Sequence, residues 1–388
     1  MKKLLLLIFM VFLTISACQE NKSTSEAPKA PSVWDNISLP AAQNFQTEFA
    51  GKAVNLYTLQ TNDIRLAITN YGGRIVSLWV KDSTGVPRDI VLGFNTIEDY
   101  SNGKNGKYHG ATIGRYANRI AKGKFSLNGE TYSLATNNDP NHLHGGEVGF
   151  ESVVWEAIQT NDSSLTLSYL SKDGEEGYPG NLSVEQTISL SANAMEISFR
   201  ATTDKATPVN LCNHAYFNLN GEGSGTVHKH WITIAADHFT PVDESLIPTG
   251  EIREVEGSVF DFRTVGRIHD RIEDMDEQLL VGKGYDHNFV LARESKEKPE
   301  FMARVKGDRS GIIMEMHSTE PGVQFYGGNF MDGSNVGKSG EKYYYRTAFC
   351  LEPQHFPDSP NQSNFPNTIL EPGETYYTTT IYSFHQAK

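Results

Sequence analysis

Two ionisable residues in this sequence stand among apolar neighbours, where burial would tune their protonation. His214 lies in the run 213–217 (NHAYF), and strand alternation places it on one face with Tyr216. Glu352 follows the apolar run 348–351, and an apolar approach of this kind raises the pKa of a carboxyl group toward the range of a general base. Taken separately, each residue also fits a bland role, as a core histidine or a solvated strand-end carboxylate.

Several other segments combine polar side chains with glycine and apolar residues. Buried polar groups cost free energy unless they are paired, so a chain that keeps many of them usually satisfies them in a shared site or with a ligand. These segments are 114–120 (GRYANRI), 141–146 (NHLHGG), 285–289 (YDHNF), 320–326 (EPGVQFY) and 351–354 (LEPQ).

Two pairs of histidines allow a metal interpretation. His142 and His144 are spaced by two, as are His228 and His230, and zinc ligands on strands have this spacing. The alternative is one ligand-contacting histidine among loop histidines, and we favour it and expect no metal in the site. A structural Ca²⁺ ion stays open for an Asp-rich exported chain, although no site for it can be named.

Two cysteines precede the candidate residues by two positions each. Strand parity places Cys212 on the face of His214 and Cys350 on the face of Glu352. An exported protein can form disulfides, but two lone cysteines in a large domain are typical of buried thiols. We predict that they approach one another as free thiols.

The sequence pattern predicts that the elements that position these side chains are mostly strands. Residues 165–170, 182–190 and 194–201 alternate apolar with polar, and the turn-rich segments 173–180 and 191–193 separate them, which predicts antiparallel hairpins. Helical periodicity is weak, and residues 265–281 predict one short surface helix. The predicted fold class is all-β, a large antiparallel β-sandwich.

The N-terminus predicts export with lipid attachment. Lys2 and Lys3 precede the apolar stretch 4–15, and residues 15–18 (ISAC) resemble a bacterial lipobox that ends at Cys18. We therefore expect a lipoprotein signal peptide (1–17), lipidation at Cys18, a flexible tether (18–43) and one catalytic domain (44–388). An ordinary secretory signal is the alternative. The predicted location is the cell envelope, in the periplasm or at the outer membrane, and Gln19 favours the outer membrane.

The charge of the chain excludes one class of partner. The net charge is −13 and no basic run of the nucleic-acid-binding type occurs, so no nucleic acid partner is expected.

The order and wording of the motifs resemble the aldose 1-epimerases, or galactose mutarotases, from about Leu66 to Phe384. The resemblance rests on 70–73 (NYGG), 114–125 (GRYANRIAKGKF), 143–146 (LHGG), 213–219 (NHAYFNL), 239–252 (FTPVDESLIPTGEI), 285–291 (YDHNFVL), 320–330 (EPGVQFYGGNF) and 350–354 (CLEPQ).

The resemblance implies a β-supersandwich with an open sugar cleft and chemistry that needs no cofactor. It makes His214 the acid and Glu352 the base in the interconversion of α and β anomers of free aldohexoses such as glucose or galactose. The substrate contacts that it implies are Asn118, Arg119, His144, Tyr216, Asp286 and Gln324.

Two other functions are alternatives to anomer interconversion. A lipid-anchored carbohydrate-binding protein without catalysis would share the fold, but it would need neither His214 nor Glu352 as an acid–base pair. An epimerase for a different or phosphorylated sugar is the second alternative, and the acidic chain disfavours phosphate. The expected protein is a monomer that binds a free monosaccharide and meets the membrane only through its N-terminal lipid.

Overall fold

The computed structural model describes residues 32–103, 106–295 and 297–387. Strands make up 43% of the chain and helices 9%, so the all-β prediction is confirmed. The strands within these ranges are, in chain order, β1 (Thr47–Phe49), β2 (Lys52–Val54), β3 (Leu56–Gln60), β4 (Ile64–Thr69), β5 (Arg74–Lys81), β6 (Pro87–Asp89), β7 (Ala111–Ile113), β8 (Arg119–Ile120), β9 (Lys124–Leu127), β10 (Glu130–Ser133), β11 (His142–Leu143), β12 (Glu156–Asn161), β13 (Ser164–Ser171), β14 (Leu182–Ser191), β15 (Ala194–Thr203), β16 (Thr207–Pro208), β17 (Cys212–His214), β18 (Trp231–Ile234), β19 (Ala236–Thr240), β20 (Arg253–Glu254), β21 (Gly266–Arg267), β22 (Asp286–Leu291), β23 (Glu300–Lys306), β24 (Ile312–Ser318), β25 (Gly322–Tyr326), β26 (Cys350–Gln354), β27 (Ile369–Leu370) and β28 (Tyr376–Gln386).

Three larger antiparallel sheets carry the fold. The nine-stranded sheet has the order β12-β13-β14-β15-β28-β24-β23-β18-β21, the five-stranded sheet the order β20-β19-β22-β25-β26, and the four-stranded sheet the order β3-β4-β5-β6. Two-stranded ladders join β1 to β2, β7 to β17, β8 to β11, β9 to β10 and β16 to β27. One hydrophobic core cluster takes residues from all three larger sheets, as expected for layers that pack face to face.

The predicted hairpins are confirmed. β13, β14 and β15 pair in sequence as antiparallel neighbours, and residues 182–190 alternate between buried and less buried along β14. This alternation is typical of a sheet with one face on the core and the other toward solvent. β25 and β26 are instead buried at every position, so both of their faces are covered.

Helices are short. The α-helices in the described ranges are α1 (Ile97–Ser101) and α2 (Glu277–Gly282), and 3₁₀ helices lie at Val33–Asn36, Ala42–Phe45, Ala121–Gly123, Phe150–Ser152, Glu175–Gly177 and Ser359–Asn361.

The helix predicted over 265–281 is confined to its last turns. Residues 266–267 instead pair with β18 as an edge strand, with Arg267 opposite Trp231. The helix starts only after Asp276, whose carboxylate accepts hydrogen bonds from the backbone N–H groups of Gln278 and Leu279. Pairing with the sheet therefore overrides the weak helical pattern of residues 265–276.

The N-terminal predictions fall mostly outside the described residues. The signal peptide (1–17) and Cys18 lie there entirely. Of the predicted tether, residues 32–43 are described, and they contain the 3₁₀ helix Val33–Asn36 and the start of Ala42–Phe45. The chain divides into a unit ending at Asn36 and a unit from Ile37 to Lys388 that contains the strands named above. In the described part of the chain, no helix has the length and apolar character needed to cross a membrane.

Candidate active site

The five-stranded sheet places three of the predicted site residues on one face. In its register Gln324 pairs with Glu352 on one side and with Asn288 on the other, and Asp286 lies two residues before Asn288 on β22. Paired residues share a face and residues two apart do so as well, so Glu352, Gln324 and Asp286 project together. The alternate residues, such as Phe289 and Phe325, belong to the main hydrophobic core, which fixes this sheet in place.

His214 meets Glu352 from a different ladder. β17 ends at His214 and pairs with β7, so that His214 lies opposite Ala111. The imidazole Nε2 atom lies 3.5 Å from Glu352 Oε1, and the two side chains are 6% and 3% exposed. The thiol of Cys212 donates to Glu352 Oε2 over 3.8 Å. The two residues that the sequence proposed as acid and base are thus adjacent and almost sealed from solvent.

His144 and Asn118 hold each other in place beside this pair. The backbone N–H of Asn118 donates to His144 Nδ1 (3.1 Å), and the N–H of His144 donates to the Asn118 carbonyl (2.9 Å). Both residues have positive φ, 62° for Asn118 and 52° for His144, a strained conformation that persists where the surroundings determine it. Gly145 follows at φ 89°, where a Cβ would collide with the Gly114 carbonyl group. These contacts explain why the segment needs glycine after its histidine.

Arg119 lies next to this segment with its guanidinium only partly paired. β8, which contains Arg119, pairs with β11, and the guanidinium Nε donates to Asn138 Oδ1 over 3.2 Å. Arg119 is 8% exposed, so it is not the ordinary surface cation that its residue type alone suggests.

An open cavity of about 440 Å³ gathers these groups. Seven of the eight predicted acid–base and contact residues line it: Asn118, Arg119, His144, His214, Tyr216, Asp286 and Glu352. Gln324 is buried just behind, where its amide nitrogen donates to Asp286 Oδ1 over 2.8 Å. In this structure Gln324 therefore orients Asp286 rather than lining the cavity itself.

Further residues line the cavity that were not predicted as site residues from the sequence. Glu244, Ser245 and Leu246 lie within the motif 239–252, and Phe330 ends the motif 320–330. Both motifs could therefore have predicted these lining residues. No sequence signal singled out Tyr108. The lining residues missed are Tyr108, Asn138, Asp139, Leu143, Glu244, Ser245, Leu246, Tyr326 and Phe330.

Burial sets the protonation of the central pair. It raises the pKa of Glu352 to about 8, helped by the negative charge of Asp286 and opposed by the Cys212 thiol and Arg119. It lowers the pKa of His214 to about 4. Desolvation disfavours the charged form of each group, so the empty site at neutral pH holds one proton on the pair, mainly on Glu352. The prediction that an apolar approach raises the pKa of Glu352 is confirmed.

Three of these groups lie close enough to suggest a metal site, but their hydrogen bonds do not fit one. Donor atoms of His144, His214 and Glu352 lie within 4.8 Å of one another. A metal-bound histidine normally donates its second N–H to an acceptor. His144 Nδ1 instead accepts from the Asn118 backbone, which leaves Nε2 carrying the proton and without a lone pair for a metal.

One histidine of each pair considered for zinc is engaged in contacts within the protein. His142 Nδ1 donates to the Ala135 carbonyl (2.8 Å), and its Nε2 lies 2.7 Å from the Tyr178 hydroxyl. His230 Nε2 accepts from the Leu219 N–H, and its Nδ1 lies 3.3 Å from Asp308. These contacts make His142 and His230 structural.

A larger cavity, about 630 Å³, lies between segment 38–44, β5, β6 and the loops at 220–224 and 338–339. Its charged groups already have partners within the protein: Lys338 pairs with Asp89 (2.8 Å), Arg88 with Asp82 (2.7 Å), and Glu222 accepts from the Tyr343 hydroxyl. The smaller cavity contains the predicted acid and base, His214 and Glu352, so it is the candidate active site.

Both cysteines of the body are buried free thiols, as predicted. The Cys212 thiol contacts Glu352, and the charge of Cys212 is among the influences that raise the pKa of the Cys350 thiol.

Known proteins are similar to this chain in sequence. The family model described as "Aldose 1-epimerase" matches residues 55–383. The galactose mutarotase of Rattus norvegicus is 47% identical over 87% of this chain and 96% of its own length. The aldose 1-epimerase of Escherichia coli K12 is 37% identical over 86% of this chain and 96% of its own length.

Solved structures agree with the sequence comparison. The GalM/aldose epimerase homologue of C. elegans superposes with a TM-score of 0.80 at 30% identity, over 87% of this chain and 100% of that one. Galactose 1-epimerase of Lactobacillus acidophilus gives 0.76 at 26% identity, over 88% and 98%. The chain therefore belongs to the aldose 1-epimerase family, and it is an isomerase that interconverts the anomers of aldoses.

Proposed function

We propose that the cavity converts the α and β anomers of free aldohexoses, glucose or galactose, with His214 as acid and Glu352 as base. The observation that carries the assignment is the 3.5 Å approach of His214 Nε2 to Glu352 Oε1 in a nearly sealed position. The ring oxygen and the hydroxyl of an anomeric centre are attached to the same carbon. An acid and a base that serve both must therefore be close neighbours.

The reaction needs only proton transfers. Glu352 accepts the proton of the C1 hydroxyl while the His214 imidazolium protonates the ring oxygen, and the C1–ring oxygen bond breaks to give the open-chain aldehyde. Rotation about C1–C2 presents the other carbonyl face. His214 then takes the proton back from the hydroxyl that attacks, Glu352 returns its proton to the carbonyl oxygen, and the ring closes as the other anomer. Each positioned group contributes about 10²–10⁴-fold.

The resting proton arrangement is compatible with this scheme. A protonated Glu352 beside a neutral His214 differs from the reactive ion pair only by the position of one proton. The pair therefore holds the required number of protons before sugar binds, and the sugar hydroxyls can carry the exchange between the two groups.

The remaining polar groups fit the hydroxyls of a neutral sugar. His144 presents Nε2–H as a donor, Asp286 presents acceptors and Arg119 presents donors. Tyr216 stacks on His214 with ring centroids 4.9 Å apart and limits the position of the imidazole.

The lining charges disfavour the phosphorylated-sugar alternative. Arg119 is the cation among the described lining residues, whereas Asp139, Glu244, Asp286 and Glu352 bring four carboxyl groups. A phosphate would meet acidic neighbours there. The acid–base pair likewise favours an enzyme over a sugar-binding protein without catalysis.

Polarimetry tests the enzyme assignment and its two residues. Freshly dissolved α-D-glucose or α-D-galactose should equilibrate faster with enzyme, and Glu352→Gln or His214→Asn should lose most of the acceleration. Failure of the wild-type protein to accelerate equilibration would favour the binding-protein alternative. Full activity in either variant would remove that residue from the mechanism.

Treatment with EDTA, followed by the same measurement, tests the remaining metal alternatives. We expect unchanged activity, because proton transfer between His214 and Glu352 needs no ion. A loss that added Zn²⁺ or Ca²⁺ restores would contradict this expectation.

We also propose that the protein is a lipoprotein of the cell envelope, held by lipid on Cys18, and that it acts as a monomer. The proposal rests on the lipobox-like residues 15–18. Labelling cells with a fatty-acid probe should mark the wild-type protein but not Cys18→Ser. Release of wild-type protein without label would support an ordinary secretory signal.

A further inference from the structure

His214 belongs to a series of nearly parallel aromatic rings. Its imidazole lies 6.1 Å from the Tyr108 ring centroid with an interplanar angle of 18°, and 4.9 Å from Tyr216 at 16°. Behind Tyr216 the series continues to His109 (4.1 Å, 8°) and then to Tyr343 (5.7 Å, 14°). The hidden rings fix Tyr216, whereas Tyr108 lines the cavity on the side open to substrate.

The face of an aromatic ring attracts a cation at a distance of about 6 Å or less. In the proposed reaction His214 is neutral in one state and an imidazolium in another. A ring stacked on it therefore favours the charged state, and burial favours the neutral one. We propose that Tyr108 is a positioning residue that keeps the His214 imidazole in plane and stabilises its cationic form. This inference rests on the proposed role of His214 as the acid.

The Tyr108 ring also contacts the His144 ring, with centroids 4.7 Å apart at 60°, but burial lowers the pKa of His144 well below its ordinary value, so His144 adds no competing cation. Burial and the nearby acidic groups raise the pKa of Tyr108, so its ring stays neutral. Lys107 Nζ lies 5.5 Å from the same ring, but it pairs with Glu151 Oε1 at 3.0 Å, which offsets its charge. His109 is buried, and burial lowers its pKa to about 3, so it adds no competing cation.

Other groups around His214 also influence its charge, and all of them except Tyr108 are unchanged in the Tyr108 variants below. The titratable and charged groups that face or approach His214 from the packed elements are Glu352, His144, Tyr108, Tyr216, His109 and Arg74.

The test compares Tyr108→Leu with Tyr108→Phe, measuring kcat and KM by polarimetry across pH. Leucine removes the ring face, and we expect kcat to fall about 2- to 30-fold, the range of a cation–π contact. The low-pH limb of the profile reports the second protonation of the His214–Glu352 pair. It should move to lower pH, because the imidazolium loses its stabilising ring. The limb at high pH should not move, because the two states that it separates both contain neutral His214. Phenylalanine keeps the face and should restore both kcat and the low-pH limb.

Phe330→Leu is the matched control. Phe330 also lines the cavity, but its ring stacks on Tyr326 (6.0 Å, 8°) rather than on the imidazole. Its loss should leave the low-pH limb in place, whatever it does to KM.

Three results would overturn the inference. If Tyr108→Phe loses as much as Tyr108→Leu, the hydroxyl rather than the ring face is responsible. If both limbs of the pH profile of Tyr108→Leu move toward the ordinary pKa values of glutamate and histidine, the substitution has loosened the site and let water in. If Tyr108→Leu behaves like wild type while His214→Asn is inactive, the positioning role fails and the proposed function stands. Full activity in His214→Asn would instead overturn the proposed function.

Discussion

Two His–Glu pairs include residues on or next to β25 and β26, and they differ in what else their carboxyl groups touch. Glu320 lies 2.7 Å from His355 Nδ1 and also accepts from the Tyr376 hydroxyl over 3.1 Å. Glu352 lies 3.5 Å from His214 and has the weak thiol donor of Cys212. His355 is 21% exposed, whereas His214 is 6% exposed.

The difference shows how the same residue types can form a structural pair at Glu320 and the proposed acid–base pair at Glu352. At Glu320 a short contact with His355 and a hydrogen bond from the Tyr376 hydroxyl engage both carboxyl oxygens. At Glu352 the contacts with His214 and Cys212 are longer, and burial together with the negative charge of Asp286 raises the pKa, so that group keeps a proton available near neutral pH. An open cavity adjoins the second pair, so a sugar can supply the missing hydrogen bonds.

Activity should separate the two pairs most strongly. Glu352→Gln removes the base, and we expect kcat to fall by about 10²–10⁴-fold. Glu320→Gln keeps the shape of a residue outside the cavity and should lower kcat far less. Polarimetric rates of both variants, each checked for folding by circular dichroism, give the comparison. Equal losses would mean that the Glu320 pair takes part in the reaction.

The pH dependence of kcat/KM should report the reactive pair. The active arrangement holds one proton on His214 and Glu352 together. Activity should therefore fall below about pH 4, where both groups are protonated, and above about pH 8, where both are deprotonated. Rates across pH 3.5–9.5 would check this. If the two limbs of the pH profile lie near the ordinary pKa values of glutamate and histidine, the site is open to water.

The free energy of unfolding should change in opposite directions. The pKa of Glu352 is raised in the folded protein, so above the unfolded value its ionisation opposes folding. Glu352→Gln removes this penalty and should stabilise the protein at pH 7 by about 1–3 kcal/mol, with the gain lost near pH 4.

Glu320→Gln should instead destabilise the protein by about 1–3 kcal/mol, because the buried carboxyl group loses its 2.7 Å contact with His355. Denaturant unfolding at pH 4 and pH 7 would measure both changes. A Glu352→Gln protein that is less stable at pH 7 would contradict the comparison.

Cys212→Ala should give the smallest effect. The thiol donor lowers the pKa of Glu352, so its removal should raise that pKa and move the high-pH limb upward by less than about one pH unit. The low-pH limb serves as the internal control, and a downward shift of the high-pH limb would show that the thiol has the opposite influence.

The sequence predicted the fold class and most of the site because its patterns are local. Alternation along 182–190 and 194–201 predicts strands, and parity alone places Cys212 beside His214 on one face. The ordered motifs predicted eight site residues, and seven of them line one cavity in the structure. The helix over 265–281 was mostly wrong because pairing of residues 266–267 with β18 outweighs a weak helical pattern.

Other features depend on residues far apart in the chain. Tyr108 has no motif of its own, and it meets His214 only because β7 pairs with β17. The orienting role of Gln324, the tautomer of His144 and the contrast between Glu320 and Glu352 likewise come from contacts between separate strands and loops.

By itself the sequence determined which residue types are present, which strand face each occupies, and the family to which they belong. The tertiary structure decided which of two His–Glu pairs lines the cavity, and how strongly burial raises the pKa of Glu352. The physical reason is that a pKa depends on solvent exclusion and on the hydrogen-bond partners within a few ångströms, and both are set by how distant segments pack.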